Sequence, residues 1–337
     1  MIGRSGASFG KVHYCPDDYW PLNTALFATD FLGNEPRFVY YALKTIEFAA
    51  FNSGSAQASL NRNFIASIPV LIPPCEEQRG VVEVLGAFDD KIDSNRRLAV
   101  LLEDTAATLF RARFVDFVGE DDFEESDIGR VPRGWQLKTL GEVVEQRRER
   151  GVDALPYIGL DDMPRGSTVL ERWKTDGAPS GQSSRFGLGD ILFGKLRPYF
   201  KKVGIAPIDG RCSTEIVVLR PRAPELFGLS IGHLTSPRFF DHCDAVATGT
   251  RMPRAEWKLA SQLRVACPPT DQIVSFNGWV RAVYDQIVGL THESRRLVEI
   301  RDALLPKVIS GEMRVPDVTD LTEVPAPASK SVAGVTP

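Results

Sequence analysis

The stretch Ile68-Pro69-Val70-Leu71-Ile72-Pro73-Pro74 is answered, with a constant offset of 195, by Leu263-Arg264-Val265-Ala266-Cys267-Pro268-Pro269. Reading outward, the agreement continues on both sides. Ser53-Gly54-Ser55 pairs with Thr248-Gly249-Thr250, and Glu77-Gln78 with Asp271-Gln272 after a one-residue slip. Asp90-x-Ile92 pairs with Asp285-x-Ile287, and Arg96-Arg97-Leu98 with Arg295-Arg296-Leu297. Upstream, Phe9-x-Lys11-Val12 pairs with Phe200-x-Lys202-Val203. Each match is weak alone, but their preserved order marks an internal duplication. Residues 131–190 have no counterpart in the first copy, so the first block reads as partial.

Each copy is a mixed block followed by a long helix. After Pro73-Pro74, residues Val81, Leu85, Phe88, Ile92, Asn95, Ala99, Leu102, Ala106 and Leu109 recur at steps of four and three. After Pro268-Pro269, the same rule places Ile273, Phe276, Val280, Val283, Ile287, Leu290, Ser294, Leu297 and Leu304. These are coiled-coil seams, and proline stops mark where the helices begin. Roughly 35–40 residues at ~1.5 Å each give ~50–60 Å, too long to bury against one compact core. The other copy's helix is the natural partner, and an antiparallel pair would put a block at each end. Asn95 and Ser294 are polar seam positions suited to fixing register.

Within the blocks, Asp190–Phe193 and Thr214–Leu219 read as short buried strands. Pro36–Phe51 has helical spacing with proline in its first turn. The expected class is therefore α+β: two mixed α/β blocks, the first partial, joined by two long antiparallel coiled-coil helices. The expected boundaries are a first block at 1–74, a helix at 75–118, an acidic linker at 119–130, a second block at 131–269, a helix at 270–312 and a disordered tail at 313–337.

Composition bounds the function. The 337 residues are 43% hydrophobic and 25% charged, ordinary for a folded soluble chain. The formal net charge of −4 hides an asymmetry. Residues 131–269 hold 21 Lys and Arg against 15 Asp and Glu, whereas 75–130 hold 7 against 15. A basic block among acidic helices is where a polyanion would sit. No apolar run suits a membrane helix, and the five cysteines lack C-x-x-C spacing. A cytoplasmic location is expected.

Chemistry motifs are wanting. Gly189–Lys195 fits G-x-x-x-x-G-K, but Leu196 stands where a P-loop needs Ser or Thr. The four histidines are scattered, and the adjacent acids Asp161-Asp162 and Asp121-Asp122 read as solvated loops. No catalytic residue and no metal ligand is expected. What remains is a set of basic and polar loops. Lys195, Arg197, Tyr199, Lys201, Lys202 and Arg211 crowd one segment, while Thr250, Arg251 and Arg254 surround a glycine turn. Arg4, Ser5 and Lys11 hold the corresponding place in the first copy, and Arg62 lies near its turn. Any one of these is ordinarily a solvated surface residue. Their recurrence in both copies points to contacts with DNA phosphates and base edges.

The ordered set Leu71-Ile72-Pro73-Pro74-Cys75-Glu76-Glu77-Gln78, Gly129-x-Val131-Pro132-x-Gly134-Trp135, Gly189-Asp190-Ile191-Leu192-Phe193 and Leu297 to Gly311 resembles the specificity subunits of type I restriction–modification systems. That resemblance implies two target-recognition domains, each reading one half of a split double-stranded DNA site, with the helix pair as spacer. It implies methyltransferase subunits and a translocating endonuclease subunit as partners. S-adenosylmethionine, ATP and Mg²⁺ would belong to those partners, and the chain itself would carry no cofactor. Set against the family, the first domain reads as N-terminally truncated. A coiled-coil protein–protein adaptor, or a non-functional remnant of such a subunit, is the alternative.

Overall fold

The computed structural model describes residues 1–54, 57–152 and 154–315. The expected disordered tail, 313–337, lies outside them from residue 316 on. The chain divides into two units, Met1–Ile92 with residues from Arg296 onward, and Asp93–Arg295. The boundary falls inside both long helices.

Unit 1 opens with strands β1 (Ile2–Gly3) and β2 (Ala25–Leu26), paired antiparallel. Helix α1 (Pro36–Lys44) and the short α2 (Arg62–Ile65) follow. Then α3 (Cys75–Phe114) begins directly after Pro73-Pro74. Helix α1 stops earlier than its apolar spacing suggested. The Thr45 N–H bonds the Ala42 carbonyl, and Phe48–Phe51 form a separate 3₁₀ turn. Phe38, Tyr41 and Ala42 of α1 bury against Val81 and Leu85 of α3.

Unit 2 contains most of the sheet structure. The segment read as a linker is instead a hairpin of β3 (Phe123–Ser126) and β4 (Gly129–Pro132). Gly129, at φ 100°, makes its turn, Arg130 stacks 4.8 Å over the Phe123 ring, and Arg133 bonds Asp122 at 2.8 Å. Further on come β5 (Gln136–Thr139), α4 (Leu140–Val143), β6 (Val144–Gln146), β7 (Tyr157–Ile158) and β8 (Ser183–Phe186). They are followed by β9 (Ile191–Gly194), β10 (Val203–Ile205), β11 (Gly210–Ser213) and β12 (Ile216–Pro221). Helices α5 (Phe227–Thr235), α6 (Pro237–Val246) and α7 (Trp257–Ala260), strand β13 (Arg264–Cys267) and helix α8 (Thr270–Ile309) complete the order.

The main sheet is antiparallel in the order β10-β9-β12-β6. A second sheet, β7-β11-β8, mixes one parallel and one antiparallel pair. Strand β9 is buried at every residue, which explains why its sequence is a continuous apolar run rather than an alternating one.

Within each unit the long helices run antiparallel. In unit 1, Asp89 bonds Arg301, and Val81 and Leu85 share a core with Leu305, Val308 and Ile309. In unit 2, Asn95 donates to Glu293 at 2.7 Å, while the Phe110 and Phe114 rings stand 6.2 and 4.7 Å from Phe276. Asn95 is 2% exposed, so the seam carries a buried amide whose partner sets the register. Among the described residues no helix is long and apolar enough to cross a membrane.

A strap ties the sheets of unit 2 to these helices. Ser167 Oγ donates to Glu103 at 2.7 Å, and Thr168 Oγ1 to the same carboxylate at 2.5 Å. Glu171 pairs with Arg96 at 3.2 Å. The Trp173 ring lies 4.0 Å under the Arg295 guanidinium and 5.9 Å from His292.

Candidate nucleic-acid interface

In unit 2 the turn between β9 and β10 is closed by its own backbone. Gly194 N–H donates to the Lys202 carbonyl at 2.8 Å, and Pro198–Phe200 form a 3₁₀ turn. Arg197 and Lys201 stand at its two corners, both left-handed at φ 52°. A side chain in this region costs on the order of 1–3 kcal/mol, and Arg197 precedes a proline, which disfavours it further.

A second turn is zipped onto the first. Thr248 and Arg254 exchange backbone bonds of 3.0 and 2.9 Å. Arg197 N–H donates to the Pro253 carbonyl at 2.7 Å, and Ala255 N–H to the Lys195 carbonyl at 3.0 Å. The 195–202 and 248–254 turns thus form one clasp, which brings Lys195, Arg197, Tyr199, Lys201, Thr250, Arg251 and Arg254 together. Tyr199 is 49% exposed, and Lys201, Thr250 and Arg251 are exposed.

The charges are not equally available. Arg254 forks onto Glu215, with both Nε and Nη2 at 2.9 Å, and this hydrogen bond holds the Glu215 carboxyl below the usual carboxylate range. Lys195 Nζ pairs with Glu256 at 3.1 Å. Lys202 is turned inward: its ammonium donates to the Leu160 carbonyl at 2.5 Å, and desolvation lowers its pKa. Arg211 is 1% exposed, bonds the Pro179 carbonyl at 2.8 Å and stacks on Tyr157. Lys202 and Arg211 are therefore internal fasteners rather than surface contacts. The carbonyls that bind them come from remote loops that composition cannot reveal.

Sequence reasoning missed Arg165. It stacks 3.8 Å over the Phe200 ring, and the neighbouring Gly166 N–H donates to the Lys201 carbonyl at 3.0 Å. Its only sequence signal was the basic surplus of the block.

Unit 1 repeats three of the clasp's backbone bonds. Gly3 N–H donates to the Lys11 carbonyl at 2.9 Å, matching Gly194 to Lys202. Leu60 N–H donates to the Arg4 carbonyl at 2.8 Å, matching Ala255 to Lys195. Ser53 N–H donates to the Ser59 carbonyl at 2.9 Å, matching Thr248 to Arg254. Arg4, Lys11 and Arg62 are exposed here, and Ser5 is half-buried beside Ser59. The helices repeat too: α1 corresponds to α5 with an offset of 191, and α2 and α3 to α7 and α8 with 195.

Among the described residues no cluster of three His, Cys, Asp or Glu groups could hold a metal ion. The arrangement offers exposed cations, a phenol and hydroxyls on a stiff double turn. It can hydrogen-bond and neutralise a polyanion.

Residues 2–104 match the type I restriction modification DNA specificity domain. The type I restriction enzyme MjaIX specificity subunit of Methanocaldococcus jannaschii is 24% identical over 313 residues, covering 83% of this chain and 70% of that protein. The HindI specificity subunit of Haemophilus influenzae is 21% identical, covering 74% and 70%. The crystal structure of a type I restriction–modification S subunit from M. genitalium superposes with a TM-score of 0.52 at 15% identity, covering 91% of this chain and 81% of the other, a likeness of fold.

Proposed function

We propose, from the premise that the chain belongs with the type I restriction–modification specificity subunits, that it is the DNA-sequence-recognition component of such a system. The observation that carries this reading is the duplicated clasp, one copy in each unit, presenting basic and hydroxyl side chains on a shared backbone frame. In this reading the chain is non-catalytic and binds double-stranded DNA. Methyltransferase and endonuclease subunits are its partners, and S-adenosylmethionine, ATP and Mg²⁺ act on them.

Duplex binding tests it. Affinity should fall steeply with salt, by about 0.9 log units per log unit for each phosphate neutralised. Reversing Arg197, Lys201 or Arg251 to Glu should weaken binding more than reversing Lys195 or Arg254, whose charges are already matched by Glu256 and Glu215. Affinity independent of salt, or unmoved by all five reversals, would sink the reading.

A further inference from the structure

The two clasps share a backbone but differ at their corners. In unit 1 the left-handed positions are Gly6 and Gly10, at φ 67° and 70°. Their counterparts, with an offset of 191, are Arg197 and Lys201 at φ 52°. Glycine occupies this region without strain, so the fold of the turn does not ask for side chains there. Unit 2 nevertheless carries two long cationic ones, and at Arg197 it does so in front of Pro198.

Their surroundings sharpen the point. Arg197 Nε is buried and has no hydrogen-bond partner among the described residues. A buried donor left unpaired is costly, and a hydrogen-bonding ligand would satisfy it. Lys201 lies at the opposite corner, exposed, its ammonium 6.0 Å from the Phe240 ring. Of the other cations named in this clasp and behind it, Lys195 and Arg254 are paired and Lys202 and Arg211 face inward, while Arg251, exposed, stands on the second turn and not at a left-handed corner.

Resting on the DNA-recognition reading above, we propose that Arg197 and Lys201 are the residues by which unit 2 determines its DNA sequence and register, and that the unit 1 clasp has no equivalent contacts. Arg197, a planar fork of donors, reads the O6 and N7 edge of a guanine in the major groove. Lys201, a compact point charge, holds a phosphate beside it. The corner strain is retained because it aims these two side chains away from the turn.

The test is selection of preferred sequences from a randomised duplex library by the full chain and its Arg197→Gly, Arg197→Lys and Lys201→Gly variants. Glycine restores the unit 1 corner, so thermal midpoints should hold or rise. Arg197→Gly should lose preference at one guanine by roughly 5- to 150-fold while keeping the rest of the selected sequence. Arg197→Lys should not restore it. Lys201→Gly should weaken every sequence alike and lower the salt slope by about one. Two results would overturn the proposal: an unchanged selected sequence and affinity in Arg197→Gly, or loss of binding that tracks a falling midpoint. A parent chain that enriches no sequence would instead overturn the DNA reading itself.

Discussion

His233 is buried in unit 2, its ring T-shaped to Phe110, with no partner for Nε2 among the described residues. Desolvation, with Arg238 adding repulsion and a backbone bond to Ala266 opposing both, pushes its pKa down to about 3. The imidazole is therefore neutral in the fold. Its unfolded counterpart takes a proton below about 6.5. The folded pKa lies below the unfolded one, so the unfolded state binds more protons between these values, and stability rises with pH across that window. The contribution is complete above pH ~6.5 and drains by ~1.4 kcal/mol per unit below it. Denaturant unfolding of the full chain at pH 7 and pH 5 should show a loss of about 2 kcal/mol from this residue. His233→Phe should remove that component. Parallel pH dependence in parent and variant would mean that the ring is charged in the fold.

Helix α5 approaches α3 so closely in unit 2 that a Cβ on Gly232 would lie 2.0 Å from the Phe110 ring. Gly232→Ala should therefore cost at least 1–3 kcal/mol by overpacking. Adding Phe110→Leu should recover part of the loss, a coupling that a double-mutant cycle would read directly. The long helices themselves answer to their seams. Leu85 is fully buried in unit 1 and Val283 is 6% exposed in unit 2, so aspartate at either should cost several kcal/mol in thermal or denaturant melts. Undiminished stability in both would refute the seam. These helices were legible in the sequence because their information is local: four-and-three spacing, proline stops and a polar seam residue lie within one stretch of chain. The clasp was legible only in part. Its basic residues stood out by composition, but Glu215 lies 39 residues from Arg254, and the Leu160 carbonyl 42 from Lys202. Which cations are spent on such partners is decided by topology, so the sequence treated paired, buried and free charges alike. The β3–β4 hairpin was missed for a related reason. Its acidic composition resembles a solvated linker, and only the packing of Phe123 under Arg130 shows otherwise.

At the scale of the molecule, duplication was legible before any fold, yet the two copies differ in how much they cover. In unit 2 the main sheet extends to β6, and Leu140, Val143 and Val144 are all at most 1% exposed. Unit 1 has no counterpart of β6 among the described residues. It exposes Trp20 and Leu22 at 90% and 68%, and it holds a groove of about 670 Å³ lined by Val12, Tyr14, Leu26, Phe27 and Tyr40. Such a patch promotes association. Sedimentation of the isolated chain should show concentration-dependent self-association, and combining Trp20→Ser with Leu22→Ser should reduce it; a chain that stays monomeric at tens of micromolar would contradict this. The strap of unit 2 carries a further consequence. It is anchored to the helices at Glu103, Arg96 and the Arg295–His292 pair, and Gly166 at its start bonds the clasp at Lys201. In the proposed DNA complex, a duplex that twists against the clasp would apply a torque, and the strap would be the tie-rod that passes this load into the helix pair instead of letting the sheets swivel.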